Sequence, residues 1–288
     1  MPQQLKDVRE PVNALFYGEG GTGKTTDLAF MANLGKVLVI NAESGVKAGP
    51  LEALGVEIEN IEVFPGEGEE LDYDSLEGEW LRIREELNED PDAYAGVFFD
   101  SITEVQAALK DRTVIAAVDR ANKAGRERSR WVVDQDNWRE VNEQCRALIR
   151  RFRDLPIHFG MSALQRRESD DDGSVSYQPA VTPGLQSDLN LWVDVTCHTS
   201  TVVVDGETEY RGLFAPHSKW RGKDRTGKLP KWLVDPTFDR IVAYRDGELE
   251  AEDDPVMLEA RERAKRAAQN GDEKDKAETG GTGRKEKE

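Results

Sequence analysis

The sequence predicts an α/β domain with a mostly parallel central sheet and helices on its faces, and three observations lead there. Short apolar runs alternate with stretches of helical spacing along most of the chain. The first run, VNALFY at 12–17, leads directly into GEGGTGKTT at 18–26, which has the form G-x-x-x-x-G-K-[ST]. A helix-compatible segment, TTDLAFMANLG, follows that turn, so it joins a strand to a helix.

The turn comes first in the chain and carries the clearest chemistry. Its glycines let the backbone wrap closely enough for N–H groups to point at phosphate oxygens, at a helix N-terminus whose dipole favours negative charge. Gly18, Glu19, Gly20, Gly21, Thr22, Gly23, Lys24, Thr25 and Thr26 are the expected nucleotide-binding residues. Lys24 is placed to reach the β- and γ-phosphates of ATP, and Thr25 to offer its hydroxyl to Mg²⁺. A plain strand-to-helix turn could also hold Lys-Thr, but the four fixed positions co-occur by chance in only roughly one chain in a hundred of this length.

The strands that follow are KVLVIN, IEVF, AGVFFD and PIHFGMSA. AGVFFD ends in Asp100, and a strand-end acid on a strand adjacent to the phosphate-turn strand suits a magnesium ligand. The simpler alternative is an ordinary strand end. Glu43 lies just past KVLVIN, where a carboxylate could orient a water as general base; a solvated loop glutamate fits the spacing equally well. The clearest helix carries Trp138, Val141, Cys145, Leu148 and Phe152 on one stripe, with Arg139, Arg146, Arg150 and Arg153 away from it.

From Val195 the pattern becomes TCHTSTVVV, Asp205-Gly206 and ETEYRGLFAP, a β-hairpin with a type I′ turn signal, so a C-terminal hairpin region joins the sheet-based core. Pro236 opens a short helix through Tyr244. Residues 1–248 are read as the core, and 249–288 as a charged helix followed by a disordered tail from Asn270 onward.

At 288 residues and 38% hydrophobic, the chain suffices for one sizeable core. The net charge of −18 excludes a uniformly basic nucleic-acid binder, yet the charge is segregated. Residues 67–92 are mostly acidic, whereas ANKAGRERSRW at 121–131 and HSKWRGKDRTGKLPKW at 217–232 are basic. No apolar run is long enough to span a bilayer, and MPQQLKDVRE lacks the features of a signal or transit peptide, so a soluble cytoplasmic protein is expected. Cys145 and Cys197 lack metal-ligand spacing and are expected to be buried thiols, and His158, His198 and His217 receive no role.

VLVINAESGVKAGPLEALGVEIENIEVFPGEGEE resembles the segment after the second core strand of RecA-type recombinases, GVFFDSIT their metal-binding strand, and HFGMSALQRR their strand ending in a sensor glutamine. The resemblance runs from about Val12 to Tyr244 and implies a RecA-like P-loop ATPase in which Glu43 is the base, Asp100 the metal ligand and Gln165 the γ-phosphate sensor. The short stretch before the first strand leaves little room for a polymerisation helix, and no C-terminal DNA-gateway domain is recognisable. The chain is therefore more similar to the short, core-only RecA-like ATPases of phages, the Sak-type single-strand annealing proteins, also described as AAA-type ATP-binding proteins.

The resemblance further implies single-stranded DNA as partner, self-association, and a possible link to a single-strand binding protein. A first DNA loop falls on DRANKAGRERSRW, where Arg126, Arg128 and Arg130 can neutralise phosphates and Trp131 can stack on a base. A solvated helix face is the alternative. The second loop, at 166–184, reads better as a structural hairpin because of its acidic Asp170–Asp172 tip. Lys223 and Arg225, in KWRGKDRTGKLP, are candidates to reach a neighbouring subunit's γ-phosphate, with an exposed basic turn as the alternative. Two other function classes stay open: a P-loop phosphotransferase on a small substrate, and a non-hydrolysing switch that ATP orders.

Overall fold

The computed structural model describes residues 10–169 and 173–279. The expectations for the N-terminal stretch at 1–9, the acidic tip at 170–172 and the end of the tail at 280–288 fall outside these residues.

In chain order the first half contains β1 (Asn13–Gly18), α1 (Lys24–Ala29), β2 (Val37–Asn41), α2 (Ala48–Ala53), β3 (Ile61–Phe64), α3 (Tyr73–Glu89), β4 (Gly96–Asp100) and α4 (Ile102–Lys123). The second half contains α5 (Gln135–Arg153), β5 (His158–Ser169), β6 (Val175–Pro179), α6 (Pro183–Trp192), β7 (Val195–Val204), β8 (Glu207–Leu213), β9 (Lys223–Asp224), β10 (Trp232–Val234), α7 (Phe238–Asp246) and α8 (Pro255–Thr279). Helix α8 thus takes in the first part of the segment expected to be disordered.

The main sheet runs β10-β8-β7-β1-β5-β4-β2-β3, with β6 paired to β5 and β9 to β7. From β7 through β3 every neighbour is parallel. One expectation needs correcting: β4, which ends in Asp100, is not adjacent to β1, because β5 lies between them and pairs with both. The reason is visible in β5, whose small and apolar first half, HFGMSA, can be buried between two parallel neighbours. The C-terminal hairpin joins the sheet as expected. Its first strand, β7, extends the main sheet through Ala14↔Val195 to Gly18↔Thr199, and only its second, β8, runs antiparallel.

Period-2 alternation divides β1 between two cores. Leu15 and Tyr17 face the core built with α3, α4, α5 and α6, while Ala14 and Phe16 face the core with α1, α7 and α8. The stripe read for α5 is present: Val141, Cys145, Leu148 and Phe152 are fully buried and Trp138 is partly buried. That helix starts at a capping box, with the Asp134 carboxylate accepting from the Asn137 N–H, and ends with Arg150, Arg151 and Arg153 against its negative pole. Helix α4 begins at the C-terminal end of β4, capped by Ser101, and its length carries the α4–α5 connection about 33 Å from that cap. Early in α8, Met257 and Ala260 are buried, so the start of this helix belongs to the second core.

Candidate functional site

The site lies at the C-terminal end of the parallel strands, where β1 becomes the phosphate turn. Gly18 has to be glycine: a Cβ there would lie 2.4 Å from both the carbonyl oxygen and Oγ1 of Thr199 on β7. Gly23, with φ of 90°, turns the chain into α1 through the left-handed region. Thr22 Oγ1 lies 2.7 Å from Thr199 Oγ1 and donates to the Glu19 carbonyl at 2.9 Å, which pins the turn to β7. At Gly20 and Gly21 a Cβ would meet nothing within 4 Å, so the middle of the turn borders open space.

Lys24 is buried and folds back over the turn, its Nζ donating to the carbonyls of Gly18 at 3.1 Å and Glu19 at 2.6 Å. Burial lowers its ammonium below the usual lysine range, opposed by the nearby charges of Glu43, Asp100 and Asp27. Thr25, one residue on, donates from Oγ1 to both oxygens of Asp100, at 2.9 and 3.1 Å. Asp100 is 1% exposed and also accepts from Ser162 Oγ at 2.6 Å. Burial pushes its carboxyl above the usual range, against the hydrogen bonds from Ser162 and Thr25. The interposed strand therefore helps the site: Ser162 of β5 pairs in register with Phe16 of β1, and on its other side it meets the end of β4.

Glu43 sits in the loop after β2, held by its N–H donating to the Asp100 carbonyl at 3.0 Å. Its charge acts on both Lys24 and Asp100, favouring the protonated form of each. Strands β2 and β4 are neighbours, with Asn41 paired to Asp100, so the two acids come from adjoining strand ends. Gln165 also reaches the turn: its Nε2 donates to Glu19 Oε1 at 3.1 Å. Thr26 follows Thr25 within the first turn of α1.

The remaining candidates lie elsewhere. Arg126, Arg128, Arg130 and Trp131 occupy the α4–α5 connection. Trp131 is 81% exposed, with the Arg130 guanidinium 5.0 Å from its ring centroid. Arg128 is engaged by Asp134 at 2.7 Å and Asn137 at 2.5 Å, so it braces the start of α5. Lys223 donates to the carbonyls of Asn190 and Val193 at 2.6 and 2.5 Å, and Arg225 to the Leu191 carbonyl at 2.8 Å. Both cations meet the carbonyls that end α6, where the helix dipole favours them.

The sequence reading gives no role to Ser162 or Thr199. Ser162 is a polar side chain in the largely apolar first half of β5, and that is the signal that could have found it, whereas Thr199 is one of five polar residues in β7 and nothing local marks it out.

These residues fit a nucleoside triphosphate with Mg²⁺. The turn borders open space at two glycines, a lysine bonds, among the described residues, only to main-chain carbonyls, and a hydroxyl and a carboxylate converge beside it. Among the described residues no group of three or more His, Cys, Asp or Glu forms a protein-only metal cage. Magnesium bound with phosphates needs no such cage, because it takes one or two carboxylates and keeps water and phosphate oxygens.

No curated protein matches the chain. Among solved structures, the flagellar accessory protein FlaH from Methanocaldococcus jannaschii aligns with a TM-score of 0.40 and 11% identity, over 79% of this chain and 85% of its own. A KaiC-like protein from the hyperthermophilic archaeon Pyrococcus horikoshii OT3 aligns with a TM-score of 0.37 and 12% identity, over 70% and 77% respectively. The model of a protein family described as an AAA domain matches residues 10–226, which include the whole phosphate turn, both acids and Gln165. With well over half of its length under that match, the chain belongs to the AAA domain family.

Proposed function

We propose that this chain is a RecA-like, magnesium-dependent ATPase that acts on single-stranded DNA in recombination or strand annealing, and that it is phage-encoded like the short proteins it resembles. The observation that supports the nucleotide half most strongly is the Thr25–Asp100 hydrogen bond beside Lys24. A hydroxyl and a carboxylate already in contact at the edge of a phosphate turn are the pair that would hold the ion.

Bound Mg·ATP would supply the phosphoryl group and the charge that hydrolysis develops. The turn's amides would bind the phosphates, and Lys24 would exchange its two carbonyl partners for phosphate oxygens. Glu43 would orient the attacking water and accept its proton, a role for which its loop after β2 is suited. Gln165 would read the γ-phosphate from beside Glu19.

The DNA half draws on the α4–α5 connection. Arg126 and Arg130 are exposed and would meet phosphates there, with Trp131 stacking on a base, whereas Arg128 keeps a bracing role. Of the two cations proposed to act across a subunit boundary, Arg225 is the better candidate: its side chain is 53% exposed and its ion pair with Asp194 is 3.6 Å long. Self-association and contact with a single-strand binding protein belong to the same proposal. Among the described residues no helix is long and apolar enough to cross a membrane.

Steady-state ATP hydrolysis measured with and without single-stranded DNA, at low and moderate salt, tests this reading. DNA stimulation that fades with salt is expected. Phosphate transfer to a metabolite would favour a phosphotransferase, and tight ATP binding without turnover would favour a switch.

A further inference from the structure

One amide and a stack of rings join the phosphate turn to a surface segment. From β5, Gln165 spans β1: its Nε2 donates to Glu19 Oε1 at 3.1 Å, and its Oε1 lies 3.1 Å from His198 Nε2 on β7. Tyr17 of β1 lies between these two strands, paired with Ala163 on one side and His198 on the other. The His198 ring meets Tyr17 edge-on at 5.1 Å and stacks on Trp220 at 4.9 Å, and His217 stacks on Trp220 in turn at 4.6 Å. Trp220 is held in place by its neighbours: the Arg221 N–H donates to Tyr17 Oη at 2.6 Å, and the Tyr177 N–H donates to the Lys219 carbonyl at 2.8 Å.

A primary amide can occupy this place in two orientations that exchange its oxygen and nitrogen. In one, both amide hydrogens face Glu19 and the phosphate turn. In the other, the amide oxygen faces the Glu19 carboxylate and any phosphate beyond it, and lone pairs oppose lone pairs. His198 discriminates between them. A hydrogen on its Nε2 gives the first orientation a donor for the amide oxygen, and sets N–H against N–H in the second. The ring is buried and fixed by two neighbouring rings, so the donor cannot turn away.

We infer that His198 is a positioning residue for Gln165: by donating to the amide oxygen it keeps the amide's N–H edge towards the triphosphate site, and its stack ties that orientation to Trp220. The inference rests on the ATPase reading above. When a γ-phosphate draws the amide away from Glu19, the hydrogen bond between the amide and the fixed His198 ring changes, and with it the environment of the indole stacked on that ring.

His198→Phe keeps a ring and removes the donor, while His198→Gln keeps a donor and removes the ring. Steady-state ATPase assays should show that His198→Phe lowers kcat about tenfold and leaves KM within about twofold, with His198→Gln close to wild type. Acting through the amide, His198→Phe should add no further loss to Gln165→Ala. Wild-type kcat in His198→Phe, equal losses in the two His198 variants, or multiplying losses in the double variant would overturn the inference. A second readout needs no turnover: Trp220 fluorescence, taken as wild type minus Trp220→Phe, on adding the βγ-imido analogue of ATP. A change that disappears in both Gln165→Ala and His198→Phe supports the inference even if the wild type proves not to hydrolyse ATP, which would sink only the ATPase reading. A change that survives in either variant overturns it.

Discussion

Asp100→Asn separates the cost of building this site from its use. Asp100 is 1% exposed and its carboxylate accepts hydrogen bonds from Ser162 and Thr25. Making both bonds neutral lowers each from about 1.5–3 to about 0.5–1.5 kcal/mol, a loss of roughly 2–3 kcal/mol in all. Against that, burial of the charge together with the repulsion from Glu43 outweighs the two bonds and the attraction of Lys24, since the carboxyl is held above its usual range despite them. The ligand-free variant should therefore be at least as stable as wild type, or within about 1 kcal/mol of it, which is about 2–4 °C in Tm for a domain of this order of size. The nucleotide response should differ much more. At a ligand concentration of about 100 Kd, wild type gains about 2.7 kcal/mol, whereas a variant binding a hundredfold more weakly gains only about 0.4 kcal/mol. Thermal unfolding with and without the βγ-imido analogue and Mg²⁺ measures both quantities. A variant that keeps the full magnesium-dependent shift would show that Asp100 does not hold the ion. One that loses more than about 3 kcal/mol without ligand would make it a structural anchor instead.

Glu43→Gln should leave nucleotide binding intact, or tighten it by removing an anion beside the phosphates, while turnover falls by about 10²–10⁴; normal hydrolysis would remove Glu43 from the base role. Arg126→Ala with Arg130→Ala should weaken binding to single-stranded DNA and reduce the salt slope by about 1.4, and Trp131→Ala should cost about 1–3 kcal/mol; unchanged affinity in a filter or anisotropy assay would move the contact elsewhere. Burial holds His158 at about 4, helped by Arg245 and opposed by Asp246, and burial with His217 and Lys24 does the same for His198. Because the folded state binds fewer protons than the unfolded chain between about 6.5 and 4, stability present above pH 6.5 should be lost as pH falls through that window. Urea titrations from pH 7 to 5 should show the loss, and His158→Gln should remove up to about 1.4 kcal/mol per pH unit of it; a flat profile in wild type would contradict the neutral, buried imidazoles.

Local signals proved most informative where chemistry and backbone geometry coincide. The phosphate turn was legible because its glycines answer a steric demand that is visible at Gly18, and because Lys24 and Thr25 stand at fixed offsets from it. The α5 stripe was legible from its period, and Asp205-Gly206 from its turn chemistry. Strand order was not, because β4 and the first half of β5 are both short, largely apolar runs and nothing in either says which lies beside β1. The same limit hid Ser162, whose meaning depends on the neighbour that β5 acquires. The fates of Lys223 and Arg128 were hidden for a related reason: charge patterning reveals cations but not the carbonyls and carboxamide that come to meet them.

The central claim is that the turn beginning at Gly18 grips a triphosphate through Lys24, with Thr25 and Asp100 holding its ion. Calorimetric titration of wild type and Lys24→Ala with the βγ-imido analogue of ATP, with and without Mg²⁺, tests it directly. Magnesium-dependent binding of one analogue per chain, lost in Lys24→Ala, is predicted. Equal affinity in the two proteins, or binding indifferent to magnesium, would contradict it.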